Sequence, residues 1–328
     1  MLTFTLVANH SRADGRNVRL LMSHGLSRHI WLSGHLVAWE DAMCHVSSHS
    51  LHLGSAVFEA MRCYATESGP AIFRLDDHLK RLFGSAAVYH MPIPFSHEDL
   101  KNAVCTTITQ NQLSDCYVRV LAFYGPGTFQ ILPRKCSVEV AVFALPFEPY
   151  SSAQLGVKLF VSSWVKFHSS MIPTTAKASG QYVNSLLAIT EAAENKCDDA
   201  LLLNISGRVA EGSGQNVFIV YDGVVITNDQ DSSILPGITR DSVIQIARLA
   251  GYEIEIRSFS LDELMSADEA FLTGTAVEIT PIAEINGNLL RNCPGPCTRR
   301  IQQLFADTVS GQNIANRDWL HYVESASM

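Results

Sequence analysis

The sequence predicts a protein of mixed α/β structure with two domains. At 328 residues the chain is long enough for two modest domains. Short apolar runs typical of strands, with two helical patterns, fill the first half, whereas strands and helices alternate in the second. A stretch containing proline and serine at 147–156 separates them. We therefore expect an N-terminal extension at 1–28, a small α/β domain at 29–146, a linker at 147–156 and a larger domain at 157–328.

The composition argues against several classes of protein. A hydrophobic content of 47% with a mean hydropathy of +0.11 describes an ordinary globular chain. The net charge of −8 argues against nucleic-acid binding, because neutralising phosphates needs a basic surface. No apolar run is long enough to cross a bilayer, so we expect no membrane association.

The eight cysteines lie in apolar or strand-like contexts without a CxxC pair. In the absence of a convincing signal peptide, we expect buried thiols in a cytoplasmic protein rather than a disulfide framework. For Cys293 and Cys297, a plain turn is favoured over a small disulfide or a metal site. Residues 1–28 contain four arginines and one acidic residue. We interpret them as an extension without assigned function rather than as a transit peptide.

The pattern along the small domain begins with a hairpin and continues with helices and strands. Ser33-Gly34 separates two apolar runs, which predicts the hairpin. Acidic residues early and basic residues later favour a helix from about residue 73. Further predicted elements are a helix at 97–111, strands at 116–123, 138–145, 157–164 and 199–204, helices at 180–195 and 242–250, and a strand from 271.

Three histidines in one short segment raise the question of a metal site. They are His45, His49 and His52. No cysteine or carboxylate lies nearby at ligand spacing, so we expect no bound metal.

One lysine lies in a context that suits covalent chemistry. Lys177 follows a stretch of small residues with a proline and precedes Gly180, which opens an apolar-periodic helix. This pattern places the lysine at a strand end or turn. A partly desolvated lysine loses its proton more readily, and its free amine can attack a carbonyl to form an imine. Alone the signal is weak, since most lysines in turns are ordinary surface charges.

Three later segments provide complementary groups. Glu211 lies in a Gly-rich turn directly before a β-branched strand. The start of the helix at 242–250, with Thr239 beside it, suits a phosphate because its N–H groups are free. The turn at Thr275 has amides that could hold another anion. A lysine, a carboxylate and a phosphate-binding helix start are the contacts that pyridoxal phosphate needs.

Four motifs carry a resemblance to a known family. They are Lys177-Ala-Ser-Gly-Gln-Tyr182, Glu211-Gly-Ser-Gly-Gln-Asn216, Leu235-Pro-Gly-Ile-Thr-Arg-Asp241 and Gly274-Thr-Ala-Val-Glu-Ile-Thr-Pro281. In this order they closely resemble the class IV aminotransferases, which depend on pyridoxal 5'-phosphate, and most of all the branched-chain aminotransferases. The resemblance implies fold type IV, with the cofactor between a small N-terminal α/β domain and a larger C-terminal domain. It also implies a homodimer or a higher homo-oligomer of dimers.

The resemblance implies a role for each cofactor contact. Lys177 would form a Schiff base with the cofactor's aldehyde and act as general base and acid at the substrate Cα. Glu211 would pair with the ring nitrogen, and Tyr182 with the ring hydroxylate. The remaining predicted cofactor residues are Arg81, Leu235, the backbone of Ile238 and Thr239, and the hydroxyl of Thr275; all of these except Leu235 are assigned to the phosphate.

The substrate site is also implied by the resemblance. Tyr117 and Arg119 share one face of a strand, and this Tyr-x-Arg pattern resembles the branched-chain subgroup, in which it contributes to carboxylate recognition. The other predicted substrate residues are Gly274, Thr275 and Ala276 in the turn, Phe58 and Tyr150 around the side-chain pocket, and Leu53.

Two positions depart from the family pattern. The branched-chain enzymes usually have tyrosine where this chain has Leu53, and that tyrosine reaches the partner's pocket in the dimer. They usually have glycine at the position of Ala60. The loss of a hydroxyl and the added methyl group predict that 2-oxoglutarate and glutamate are a poorer pair here, or that the apolar substrate is not a simple branched-chain one.

The expected function is amino transfer between an apolar, branched-chain-like L-amino acid and a 2-oxo acid such as 2-oxoglutarate. Three alternatives stay open: a specialised biosynthetic aminotransferase with another donor or acceptor, a lyase of the aminodeoxychorismate type, and a non-catalytic cofactor-binding protein. The Tyr117-x-Arg119 pattern argues against the lyase, and the retained Lys177 and Glu211 argue against the non-catalytic protein. Gly212 and Gly214 lack the context of a dinucleotide fingerprint.

Overall fold

The chain folds around two β-sheets flanked by helices. The computed structural model describes residues 27–147 and 155–323. Most of the predicted extension and most of the predicted linker, including Tyr150, therefore lie outside the described residues. The predicted mixed α/β class is confirmed. Within the two described ranges, no helix is both long enough and apolar enough to cross a membrane.

The first sheet is antiparallel throughout and has seven strands in the described part of the chain. In chain order they are β1 (His29–Leu32), β2 (His35–Ala38), β3 (Ala56–Thr66), β4 (Gly69–Phe73), β5 (Cys116–Tyr124), β6 (Val138–Pro146) and β16 (Leu320–Tyr322). Their spatial order is β16-β4-β3-β5-β6-β1-β2. Helices α2 (Leu75–Val88) and α3 (His97–Gln110) pack on one face of this sheet, and the short helix α1 (His49–Leu53) precedes β3.

Alternation along the two central strands decides which side chains leave the core. Val57 and Met61 of β3 are fully buried under the helices. Ala60, on the opposite face, instead contacts Tyr117 of β5. Because successive side chains of a strand point to opposite faces, Phe58 and Arg119 also lie on that second face. The first sheet therefore presents one face to a helical core and the other to the second half of the chain.

The second sheet has nine strands within the described residues. They are β7 (Val157–Val161), β8 (Asp199–Leu203), β9 (Val209–Gly212), β10 (Asn216–Tyr221), β11 (Val224–Thr227), β12 (Ile254–Ile256), β13 (Glu269–Gly274), β14 (Glu278–Ile285) and β15 (Asn288–Leu289). The order is β12-β11-β10-β13-β14-β7-β8-β9, with β15 on β14. The helices of this half are α4 (Tyr182–Glu194), α5 (Ile238–Leu249), α6 (Leu261–Ser266) and α7 (Pro296–Val309). Short 3-10 turns occur at Trp39–Asp41, Ser179–Gln181, Gln230–Ser232 and Ile314–Trp319.

The strand β16 joins the two halves of the chain. It lies within the segment predicted as the large domain, yet it pairs with β4 at the edge of the first sheet, with Leu320 opposite Phe73. The backbone N–H of Arg74 also donates to the carbonyl of Trp319. The last described strand thus covers an edge that would otherwise expose unpaired backbone groups. The exact division into domains stays a prediction.

Local boundaries differ from the sequence prediction at two places that matter for the site. Helix α5 begins at Ile238, four positions before the predicted 242, because Gly237 takes an extended N-cap conformation and the helical turns start immediately after it. Glu211 lies in strand β9 rather than in the turn that follows. The amides of Ile238 and Thr239 therefore belong to the first turn of α5.

The three histidines near α1 make separate contacts. His49 is buried between the Ser55 hydroxyl and the carbonyl of Gln130, whereas the nearest polar partner of His52 is the carbonyl of Val46. The described residues contain no group of three metal-ligating side chains. All eight cysteines are free thiols. The expectation of buried thiols holds for Cys63, Cys116 and Cys297 and is wrong for Cys44, which is exposed; the other four thiols are half-buried.

Candidate active site

The backbone of Lys177 is anchored to the first half of the chain. Its N–H donates to the Oγ of Ser85 at 2.9 Å, and its carbonyl accepts the N–H of Phe58 at 3.0 Å. The next residue forms an isolated β-bridge with Val57. These contacts fix the backbone at the position from which the Lys177 side chain extends.

The amine of Lys177 lies among groups that favour its neutral form. Burial, followed by the charge of Arg81, lowers its pKa to about 8. Its Nζ lies 2.6 Å from the Oη of Tyr182 and 4.9 Å from the centre of the Phe58 ring. Burial, followed by the charge of Glu211, raises the pKa of Tyr182 to about 12. An amine that is neutral in part near neutral pH is a competent nucleophile.

Lys177 faces a cleft of about 620 Å³ between the two sheets. The structure brings nine of the predicted residues to its walls, from five separate segments of the chain. These residues are Arg81, Lys177, Tyr182, Glu211, Leu235, Ile238, Thr239, Gly274 and Thr275.

Glu211 is a buried carboxylate whose two oxygens have different partners. Its Oε1 lies 2.5 Å from the Nζ of Lys166. Its Oε2 accepts the N–H of Leu235 at 3.0 Å and the side-chain amide of Asn216 at 3.3 Å. These contacts fix the carboxylate at the wall of the cleft.

The start of α5 and Arg81 form a site suited to an anion. The first N–H groups of a helix lack intrahelical partners, and those of Ile238 and Thr239 belong to this set. Arg81 donates to the carbonyl of Pro236, at 2.8 Å, directly before the helix. A side chain at Gly237 would collide with Asn216, because a Cβ there would lie 2.0 Å from the Asn216 Oδ1. Glycine at this position therefore lets the Asn216 side chain approach the start of the helix.

Arg81 is itself held by a buried acid. Its Nε and Nη2 donate to the two oxygens of Glu59 at 2.6 and 2.9 Å, and His78 contacts the same carboxylate at 2.7 Å. Burial raises the pKa of Glu59, but the charge of Arg81 and the hydrogen bonds outweigh it, so that the pKa falls to about 2. The bidentate pair fixes the guanidinium plane.

The predicted substrate residues of the first sheet form an aromatic wall beside Lys177. The Phe58 ring lies 4.9 Å from the Tyr182 ring, and the Arg119 guanidinium lies 4.4 Å above Phe58. The Nη2 of Arg119 donates to the Tyr117 hydroxyl at 3.0 Å. The Nε of Arg119 is buried and has no hydrogen-bond partner among the residues that the structure describes.

The apolar part of this wall reaches the other half of the chain. Ala60, Tyr117 and Phe147 form a buried cluster, and Ala276 packs against it. The turn that carries Thr275 and Ala276 thus lies against the sheet that carries Tyr117.

A family model matches this arrangement of segments. The model for amino-transferase class IV matches residues 56–285, which include all four motifs. The chain is a class IV aminotransferase.

Individual class IV enzymes are similar over nearly the whole chain. The branched-chain-amino-acid aminotransferase of Pseudomonas aeruginosa is 40% identical over 294 residues, covering 88% of this chain and 95% of that protein. The branched-chain amino acid aminotransferase of T.th. with pyridoxamine 5'-phosphate has a TM-score of 0.89 at 41% identity and covers 91% of this chain and 99% of its own. The same enzyme complexed with N-(5'-phosphopyridoxyl)-L-glutamate has a TM-score of 0.88 at 42% identity, with the same coverage. The predicted fold type IV and the predicted cofactor are confirmed.

The residues of this class IV aminotransferase fit pyridoxal phosphate. An amine with a lowered pKa, a buried carboxylate and a helix start with an arginine line one cleft, as the aldehyde, ring nitrogen and phosphate require. The buried hydroxyls of Thr174 and Thr273 line the same cleft without hydrogen-bond partners among the described residues. A polar ligand in the cleft would satisfy such groups.

One predicted residue, Leu53, is directed away from the cleft of this chain. Leu53 is 48% exposed at the end of α1. The adjacent Gly54, with a φ of +64°, packs against Gly180, and a Cβ on it would lie 3.0 Å from the Gly180 Cα. Leu53 is therefore beside the Lys177 loop but directed to the surface of this chain. Tyr150 lies outside the described residues.

Sequence reasoning missed three residues that the structure places at the site. Lys166 contacts Glu211, and Glu59 and His78 hold Arg81. Glu59 could have been recognised from the sequence, since burying a carboxylate inside an apolar strand is costly unless a cation pairs with it. Lys166 had none, because nothing in its immediate sequence distinguishes it from a surface lysine.

Proposed function

We propose that this class IV aminotransferase moves an amino group between an apolar, branched-chain-like L-amino acid and a 2-oxo acid, with 2-oxoglutarate as one acceptor. The observation that carries the proposal is the Lys177 amine, with its pKa lowered to about 8, in a cleft that also contains Glu211 and an anion site. The similar enzymes described above are named as branched-chain amino acid aminotransferases.

Different side chains of the cleft would bind the cofactor and transfer the proton. Pyridoxal phosphate, when bound, supplies an aldehyde for the amino group and a ring that takes up the electron pair left at the substrate Cα. Lys177 would hold the cofactor through its Nζ, and its free amine would take the proton from the substrate Cα as general base and return it as general acid. Glu211 would pair with the ring nitrogen, and the hydroxyl of Tyr182 would orient the ring. The phosphate would be held by Arg81, the amides of Ile238 and Thr239, and the hydroxyl of Thr275.

The substrate would lie between the Thr275 turn and the aromatic wall. The amides of Thr275 and Ala276 bind its carboxylate, with help from Tyr117 and Arg119. An apolar side chain would pack on Phe58 and on the cluster around Ala60. A 2-oxo diacid has a second carboxylate, and the Nε of Arg119, which has no hydrogen-bond partner among the described residues, could donate to it.

The two departures from the family pattern bear on the acceptor. Leu53 cannot donate a hydrogen bond, and the methyl group of Ala60 occupies space beside Tyr117. We infer that glutamate and 2-oxoglutarate react more slowly than the apolar pair. A specialised biosynthetic aminotransferase with another acceptor is the alternative that these two residues support.

We also infer that the working form is a cytoplasmic homodimer or a larger homo-oligomer. Large apolar side chains are exposed on α1, on the loop after β5 and on α4; they include Leu51, Leu53, Phe129, Ile131, Val183 and Leu186. Exposed apolar groups in such number are typical of a surface that another subunit covers. The free thiols favour a reducing compartment.

A half-reaction with single amino acids tests the proposal. Leucine, isoleucine, valine, methionine, phenylalanine, glutamate and D-alanine are added one at a time to the cofactor-loaded protein. We expect the apolar L-amino acids to discharge the cofactor absorbance and yield one equivalent of 2-oxo acid without ammonia. Pyruvate released from an aminodeoxychorismate-like substrate, with no amino acid reacting, would replace the proposal by the lyase function. If glutamate alone reacts, the proposed apolar specificity is wrong.

A further inference from the structure

A second lysine lines the cleft that Lys177 faces. Lys166 follows strand β7 (Val157–Val161), and its backbone N–H donates to the carbonyl of Leu203. Its side chain is only 10% exposed, and its Nζ lies 2.5 Å from Glu211, whose side chain is 7% exposed. Taking two charges out of water costs free energy, which only a close pair with further hydrogen bonds offsets.

The geometry makes Lys166 the cation that holds Glu211. The second carboxylate oxygen is already occupied by the N–H of Leu235 and the amide of Asn216. Among the described residues, Lys166 is the cationic side chain in an ion pair with this carboxylate. Its removal would leave one oxygen of a buried carboxylate without a partner.

The charge of Lys166 also acts on Tyr182. Glu211 raises the pKa of that hydroxyl, whereas Lys166 and Arg81 lower it. Lys177, Glu59 and Arg119 are the other charged groups that act at this end of the cleft. Lys166 thus opposes the charge of Glu211 at Tyr182 as well.

We propose that Lys166 is a positioning residue for amino transfer: it orients Glu211 toward the cofactor ring nitrogen and offsets the charge of that carboxylate, so that the Lys177-linked cofactor is not held in its protonated form. The inference rests on the proposed roles of Lys177 and Glu211. A purely structural ion pair would stabilise the fold without changing the protonation of the bound cofactor.

The experiment is a pH titration of the absorbance of the Lys177-linked cofactor in the holoenzyme. Loss of the cation in Lys166→Met should favour the protonated form and move the midpoint upward by about one pH unit, the effect of one nearby charge. Lys166→Arg retains the charge and should keep the wild-type midpoint. Lys158→Met is the matched control, because it removes a lysine–glutamate pair of 3.2 Å, with Glu284, from the second sheet. It should leave the midpoint unchanged.

The outcomes separate this inference from the proposed function. If Lys166→Met does not fold, Lys166→Gln carries the test: it can still donate to Glu211 but has no charge, and its midpoint should also move upward. A Lys166→Met or Lys166→Gln protein that binds cofactor with the wild-type midpoint would overturn the inference while leaving amino transfer intact. A wild-type protein without absorbance from a Lys177-linked cofactor would overturn both.

Discussion

Ala60 lies directly opposite Arg119 on the neighbouring antiparallel strands β3 and β5. Ala60, the smallest side chain of the aromatic wall, therefore lies beside Arg119, the cation of that wall. Side chains that are paired across two strands lie close together, so a change at Ala60 alters the space that a substrate shares with Arg119.

Replacing Ala60 by glycine should widen the pocket. We expect the ratio of kcat/KM for phenylalanine over valine to rise on the order of tenfold, the scale at which one methyl group discriminates. Ala122→Gly is the matched control, because Ala122 is an equally small residue of β5 buried in the helical core on the other face. It should lower the melting temperature without changing the ratio. An unchanged ratio in Ala60→Gly would show that the substrate side chain does not contact Ala60.

In the homodimer proposed above, Leu53→Tyr should introduce a hydrogen-bond donor near the pocket of the neighbouring subunit. We expect the activity with glutamate, relative to leucine, to increase at least about tenfold, since hydrogen bonds to charged groups contribute about 1.5–3 kcal/mol and about 1.4 kcal/mol is a factor of ten. Leu51→Tyr, two residues earlier on the same exposed helix, serves as the control. If the relative glutamate activity stays the same in Leu53→Tyr, the assignment of this position is wrong.

The lowered pKa of Lys177 predicts a pH-dependent stability of the cofactor-free protein. The folded-state pKa of about 8 lies below the ordinary value of 10.5, so folding opposes protonation of this amine. Stability should therefore rise as the pH increases from about 8 to 10, by up to about 3 kcal/mol in the free energy of unfolding. Denaturant unfolding of Lys177→Met should show a smaller rise over this interval. Equal slopes for the two proteins would contradict the burial of the charge.

Glu59→Gln should weaken cofactor binding through Arg81. The variant leaves a buried guanidinium without its carboxylate, and breaking such a pair costs about 3–5 kcal/mol. We expect a lower melting temperature and, by equilibrium dialysis, a loss of affinity for pyridoxal phosphate of at least about tenfold, which corresponds to 1.4 kcal/mol of that cost. Glu263→Gln breaks a more exposed pair of 2.5 Å with Arg257 and should change neither property much. Retained affinity in Glu59→Gln would show that Arg81 is oriented without Glu59.

The contribution of Glu59 to the free energy of unfolding should decrease as the pH falls. The pKa of Glu59 falls from 4.5 to about 2 on folding, so its contribution to stability is complete above about pH 4.5 and is lost as the pH falls toward 2. Wild-type protein and Glu59→Gln should therefore converge in stability under acid conditions. The comparison is made by denaturant unfolding at about pH 7 and about pH 3, on either side of the unfolded-state pKa.

Most of the fold could be predicted from local patterns, and most of the lining of the cleft from the resemblance of four motifs to the class IV aminotransferases. Lys177, Glu211 and Thr275 belong to motifs whose glycines and prolines indicate turns, and turns at strand ends bring such groups to one edge. The start of α5 lies four residues before the predicted position, because the sequence does not show that Gly237 alone serves as the N-cap. Lys166 escapes prediction because its partner is distant in sequence; Glu59 stands out as a carboxylate within an apolar strand, but its partner Arg81 cannot be identified from the sequence.

The pairing of β16 with β4 constrains the order in which the protein can mature on the ribosome. Strand β4 of the first sheet can pair with β16 only after the whole second sheet has been synthesised, because β16 follows that sheet in the chain. Contacts of such sequence separation form late and slowly. The nascent first sheet therefore exposes an unpaired edge until Tyr322 has emerged, and during that interval a chaperone that shields open strands would matter most.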